Sequence, residues 1–222
     1  MMHRVYIHPL PVRVWHWVNA GGFVLLILTG LQIRYRDLVG IASFESAVRV
    51  HNATGFFLMA NYLLWLLFYL FSDKITNYLP ETNPRKHFAE SIRQVIYYGY
   101  GIFRGTENPH HASAYTKFNP MQKMAYEVIM LLAVPVQFLS GLLLWDVARF
   151  AGAVSLLGGV RTVDTIHVLL FIFFAAFLPV HFYLATLGHT PGAHFRAMFT
   201  GYEEEESGVD SGHGAGGAAA GA

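Results

Sequence analysis

Four histidines stand in or at the ends of long apolar runs: His16, His51, His167 and His181. An ionisable ring in hydrocarbon is costly and marks function by default. His167 and His181 share the run "DTIHVLLFIFFAAFLPVHFYLATLG" and are fourteen residues apart. On a helix that separation is a rise of about 21 Å and a rotation about 40° short of four turns. The two rings therefore share a face, one near each side of a membrane. Imidazole pairs at two depths suit the axial ligation of two haems, each iron closed to outside ligands. Such closure suits electron transfer better than oxygen chemistry. A bound metal or a proton relay is the other use for buried histidines. A lone histidine in a span is more often a hydrogen-bonded packing residue, but four that pair by depth are hard to explain that way.

Helices must supply those depths. A span needs about 20 apolar residues, and four stretches qualify: residues 14–33, 50–72, 124–145 and 165–188. Backbone in lipid must satisfy its own hydrogen bonds, so each reads as a helix. Four crossings put both termini on one side. Of the fifteen Lys and Arg residues, ten fall on that side and five on the other, which predicts cytoplasmic termini. His16 and His181 then lie near the cytoplasmic side, and His51 and His167 near the periplasmic side. Gly30, fourteen residues after His16, and Gly55, one turn after His51, leave room for a macrocycle beside the backbone. Arg34, Arg36 and Arg49 are candidates for the propionates of the outer haem, and Arg13 for those of the inner one. His3, His8, His87, His194 and His213 fall in loops or the tail and carry no assigned role.

Composition agrees with a membrane protein. The 222 residues are 54% hydrophobic and 13% charged, against roughly 25% charged in a soluble domain. A net charge of +1 gives no sign of a nucleic-acid partner. The chain has no cysteine, which excludes disulfides, thiolate-held iron–sulfur clusters and C-x-x-C-H haem attachment. Any haem must be held through histidine or methionine. The first apolar run lacks a small-residue cleavage site, so it reads as a retained span rather than a signal peptide. The loop 73–119 is long for a helix connection and predicts an amphipathic helix over about 85–100 at the membrane surface. The stretch "EEEESGVDSGHGAGGAAAGA" is acidic, then low-complexity, and reads as disordered. The expected organisation is one domain, 1–202, and a tail, 203–222. The expected fold class is all-α: a four-transmembrane-helix bundle holding two b-type haems.

The same stretches carry a family likeness. "PVRVWHWVNAGGFVLLILTG", with His16, resembles the first span of the di-haem cytochrome b subunits of membrane-bound nickel–iron hydrogenases and of the formate dehydrogenase gamma type. "RVHNATGFF", with His51, resembles their second-span ligand, and "TIHVLLFIFFAAFLPVHFYLATLGHTPGAHFRAMFTGY" their fourth span. The branch most resembled is often called thiosulfate reductase cytochrome b, which "KFNPMQKMAYEVIMLLAVPVQFLSGLLLW" also fits. The resemblance covers about residues 5–202. It implies a subunit of the bacterial cytoplasmic (inner) membrane with two haem b groups. His16 with His181 would hold the inner haem, and His51 with His167 the outer one. It also implies a quinone site near His181, for which Asn119, Gln122, Lys123 and His189 are the polar candidates. Each is equally suited to interfacial anchoring or helix capping; Asn119 before Pro120 is a good helix start without any ligand.

The implied function is electron transfer between a periplasmic redox subunit and menaquinone or ubiquinone. The partner would be a hydrogenase, a molybdenum enzyme or a multihaem cytochrome c. The alternative is a free-standing cytochrome b561-like oxidoreductase, which shares four helices and a fourteen-residue histidine pair; the long loop stands against it. A third reading is a haem-free transporter or anchor. "ENPHHASAY" departs from the family pattern by adding His110 and His111, read either as a proton path to quinone or as a solvated loop pair.

Overall fold

The computed structural model describes residues 2–6, 8–71, 83–107, 109, 120–186 and 190–206. The first half runs β1 (Met2–Tyr6), α1 (Leu10–Arg34), α2 (Phe44–Leu70), α3 (Pro84–Gly99) and a 3-10 turn (Gly101–Arg104). The second runs α4 (Pro120–Val128), a π turn (Ile129–Ala133), α5 (Val134–Trp145), α6 (Ala151–Leu156), α7 (Val160–Ala185), α8 (Ala193–Thr200) and β2 (Tyr202–Glu206). Four stretches are long and apolar enough to cross a membrane: α1, α2, the continuous helix from α4 to α5, and α7. Each of the four sequence windows falls on one of them. The helices start earlier than the windows because capping, not hydropathy, decides where a helix begins. At α2, Ser43 Oγ accepts from Ser46 N–H at 3.2 Å, and Glu45 pairs with Arg49 at 2.7 Å across the first turn.

The chain divides into two compact units: Val18–Leu178, and Met1–Trp17 with Pro179–Ala222. In the larger unit, α1 meets α2 where a glycine faces a leucine. A Cβ on Gly22 would come within 2.7 Å of Leu58, a fully buried side chain. Further along α2, Tyr62, Trp65 and Tyr69 continue the Leu58 face at helical spacing and are buried. Tyr62 stacks on Trp65 with centroids 5.5 Å apart and meets Phe138 of α5 edge-on at 5.8 Å. At the α1–α2 turn, buried Gln32 accepts from the Ile41 backbone N–H at 2.7 Å, so the turn's donor is not left unmade.

The helix expected over 85–100 is α3. Asn83 caps it by accepting from Lys86 N–H at 3.2 Å, and Pro84 opens it. Its amphipathicity is inverted. The polar residues His87, Ser91 and Gln94 are buried, whereas Phe88, Ile92, Val95 and Ile96 are exposed. The polar face packs on α4: Ser91 Oγ donates to Pro120 O at 3.1 Å, and His87 Nε2 lies 3.4 Å from Glu127 Oε2. An apolar outer face is what a helix lying in the lipid boundary requires.

In the smaller unit, β1 and β2 pair antiparallel, from Met2 opposite Glu206 to Tyr6 opposite Tyr202. Gly201 makes the turn from α8 into β2 at φ +90°, a left-handed conformation open to glycine at little cost. A Cβ there would also meet Tyr6 Cε2 at 2.6 Å. Trp17 of α1 stacks on Phe199 at 4.4 Å and donates from Nε1 to Met198 O at 3.1 Å. The guanidinium of Arg13 donates to Phe199 O. Residues 203–206, at the start of the tail expected from 203, form β2 because the N-terminal strand supplies a ladder for them.

Candidate functional site

α1 carries His16, α2 carries His51, and α7 carries both His167 and His181. The larger unit brings His51 and His167 together, with ring centroids 6.3 Å apart and planes at 71°. The smaller unit brings His16 and His181 together, at 6.2 Å and 41°. These are the two pairs expected from depth. A metal–imidazole bond is about 2 Å long, and each separation leaves room for a metal between the two rings. Among the described residues no group of three or more His, Asp or Glu side chains could hold a bare ion. Two imidazoles suffice only for a metal that brings its other donors with it, as a macrocycle does.

Hydrogen bonds fix the rings of the His51–His167 pair. Thr29 Oγ1 on α1 donates to backbone carbonyls one turn back, Leu25 O at 2.8 Å and Leu26 O at 3.2 Å. Its one proton being used there, the hydroxyl accepts from His51 Nδ1–H at 2.9 Å. Ser140 on α5 repeats the device. Its hydroxyl donates to Gln137 O at 3.0 Å and accepts from His167 Nδ1–H at 3.0 Å. This network assigns the same tautomer to both rings, with the proton on Nδ1 and the lone pair on Nε2; at His167 that lone pair accepts from Gln137 Nε2, a bond that a metal would replace. Gln137 Nε2 lies 3.3 Å from His167 Nε2, and Gln137 Oε1 is buried without a hydrogen-bond partner. In the other pair His16 Nδ1 is buried without a hydrogen-bond partner, and the ring stands edge-on to Trp17 at 5.2 Å.

Glycines give the rings their space. A Cβ on Gly141 would lie 3.1 Å from His167 Cε1, and one on Gly30 would lie 3.6 Å from His51 Cε1. The contact at Gly30 would be an ordinary one. A Cβ on Gly55 would meet nothing within 4 Å, which leaves that side of α2 open as expected. The arginines assigned to propionates have protein partners: Arg34 with Asp164 at 3.9 Å, Arg36 with Asp37 at 3.8 Å and Arg49 with Glu45 at 2.7 Å. Of the quinone candidates, Gln122 and Lys123 lie in the first turn of α4, the former exposed and the latter half-buried. Asn119 and His189 lie outside the described residues, as do His110 and His111. Thr29, Gln137, Ser140 and Gly141 escaped the sequence reading. A hydroxyl followed by glycine, Thr29–Gly30 and Ser140–Gly141, is the signal that was there to find.

Residues 7–201 match the family model described as prokaryotic cytochrome b561. The chain belongs to the prokaryotic cytochrome b561 family. A relative in Escherichia coli (strain K12), named as a cytochrome, YdhU, is 35% identical over 202 residues, 90% of this chain and 74% of the other. One in Azospira oryzae, named as a protein-methionine-sulfoxide reductase subunit, YedZ1, is 26% identical over 198 residues, 84% of this chain and 94% of the other. One in Cupriavidus necator, named as a Ni/Fe-hydrogenase B-type cytochrome subunit, is 25% identical over 199 residues, 81% of this chain and 78% of the other. No solved structure matches. Membership of a b-type cytochrome family implies haem b, and with four apolar helices it makes this a multi-pass membrane protein. In this cytochrome b561 family member the residues fit that group: two imidazole pairs with room for a metal between the rings, and a glycine packed close against His167.

Proposed function

We propose that the protein is a di-haem cytochrome b subunit that carries electrons between a periplasmic redox subunit and the membrane quinone pool. The observation that carries this reading is the pair of histidine pairs, 6.2 and 6.3 Å between ring centroids. Each pair would hold one haem b through two imidazoles, a ligand set that suits electron transfer. Haem, when bound, supplies the one-electron couple. The chain's residues supply the rest. His16 and His181 hold one group, and His51 and His167 the other. Thr29 and Ser140 fix ring tautomers, and the spans exclude water. In this reading both termini face the cytoplasm of a bacterium, and the protein lies in its inner membrane. Residues 1–202 act as one functional domain. The quinone, menaquinone or ubiquinone, sits by Gln122 and Lys123, with Asn119 and His189 as further candidates.

A redox partner subunit is supported by relatives named as subunits of a hydrogenase and of a methionine-sulfoxide reductase. The test is extraction of the native protein in mild detergent, with mass spectrometry of co-purifying chains and a quinol-oxidation assay. A stoichiometric redox subunit together with quinone-linked haem reduction is expected. A red protein that arrives alone and turns over a small reductant would replace this reading with the free-standing oxidoreductase.

A further inference from the structure

The third span changes register midway. Val134 N–H reaches Ile129 O, five residues back instead of four, and closes the π turn Ile129–Ala133. The next bond in that register would run from residue 135 to Met130 O. Residue 135 is proline and has no N–H to give. The donor comes from another helix instead: Tyr62 Oη donates to Met130 O at 2.7 Å. Tyr62 is a buried member of the α2 aromatic row, and its ring also touches Phe138, just beyond the turn. One side chain thus grips both ends of the register change.

Beyond the turn, α5 presents the surface that meets His167. Gln137, Ser140 and Gly141 all lie against that ring. One extra residue in a turn rotates everything after it by about 100°. In an uninterrupted α-helix the place of Ser140 would fall to Leu139, which now faces outward at 60% exposure. Leucine can accept no hydrogen bond from His167 Nδ1–H.

We propose that Tyr62, by capping Met130 O, holds the register that sets Ser140 against His167, and so acts as a positioning residue for the His51–His167 site. This rests on the reading of that pair as haem ligands. A ligand that donates its second N–H to an acceptor is a stronger electron donor to its metal. Loss of the Ser140 acceptor therefore favours the reduced state of the haem at that site.

The experiment is a potentiometric titration of purified holoprotein, followed by α-band absorbance and by electron paramagnetic resonance of the oxidised haems. Ser140→Ala should change the oxidised-to-reduced ratio of one haem about tenfold, a rise of about 59 mV for a one-electron couple. Tyr62→Phe, which keeps the ring and loses only the hydroxyl, should move the same haem in the same direction. The double variant should move it no further than Ser140→Ala, because coupled residues are not additive. Ser140→Thr, which keeps a hydroxyl, should stay near the wild-type potential. Wild-type potential and resonance in Tyr62→Phe, or shifts that add in the double variant, would overturn the positioning role. His167→Ala separates the two levels. Loss of one haem there with no effect of Tyr62→Phe sinks the positioning role alone, whereas retention of every haem sinks the ligand assignment beneath it.

Discussion

Gly141→Ala puts a methyl group against a proposed iron ligand. The new Cβ would lie 3.1 Å from His167 Cε1 and 3.7 Å from Nδ1. Carbon atoms rest at about 3.5–4.0 Å, so the ring must give way by about 0.4 Å. It has little freedom to do so, because Ser140 holds Nδ1 at 3.0 Å and a haem at this site would hold Nε2. Overpacking of this kind costs about 1–3 kcal/mol, which converts to about 5- to 140-fold in affinity. The cost falls on the haem-bound state, in which the ring is least free to move. Gly30→Ala is the internal control, since its Cβ would meet His51 Cε1 at an ordinary 3.6 Å. The assay is haem titration of apoprotein in detergent, read from the Soret band. Gly141→Ala should bind the haem of the His51–His167 site at least fivefold more weakly than Gly30→Ala. Equal affinity of the two variants would refute the reasoning that ring position at His167 limits binding.

Gly55→Ala adds a Cβ that meets no side chain of the described residues within 4 Å, so a fall in haem content would point to contact with the group itself; an unchanged haem-to-protein ratio would show that this side of α2 faces lipid instead. Thr29→Val keeps the shape but removes the acceptor of His51 Nδ1–H, which should cost about 1–3 kcal/mol and lower the melting temperature of the holoprotein. A melting curve that superimposes on wild type would count against the tautomer assignment. Gly22→Ala should destabilise the α1–α2 contact by about 1–3 kcal/mol, seen as a lower melting temperature, because Leu58 lies 2.7 Å from the added atom. His87→Ala leaves Glu127 without its 3.4 Å partner in a mostly buried contact. Amide exchange should then quicken across Pro84–Gly99, and unchanged protection would show that α3 is held by other contacts.

The four histidines were legible as candidate ligands because histidine is rare in hydrocarbon and a fourteen-residue spacing has one geometric meaning on a helix. Topology alone predicted which rings should meet, and those rings lie 6.2 and 6.3 Å apart, centroid to centroid. The hydroxyl partners were not legible in the same way. Thr29 and Ser140 sit in helices where such residues usually bond their own backbone, and both do so while also accepting from a ring. That second bond depends on a neighbouring helix at the same depth. α3 was located by its periodicity, yet its polar face turned out to be the inner one, because α4 offers Pro120 O and Glu127 as partners. Strand β2 was hidden for a simpler reason: its partner lies at the other end of the chain. The π turn shows in the sequence only as Pro135, and its effect on register needs Tyr62 from another span to become visible.

Haem counting tests the central claim most directly. Haem would be measured against protein mass for wild type, His167→Ala and His181→Ala, with an optical redox titration of each. Two haems per chain are expected in wild type and one in each variant, with each variant keeping the potential that the other loses. A single haem in wild type, or both haems retained in either variant, would contradict the paired-histidine ligation of two haems.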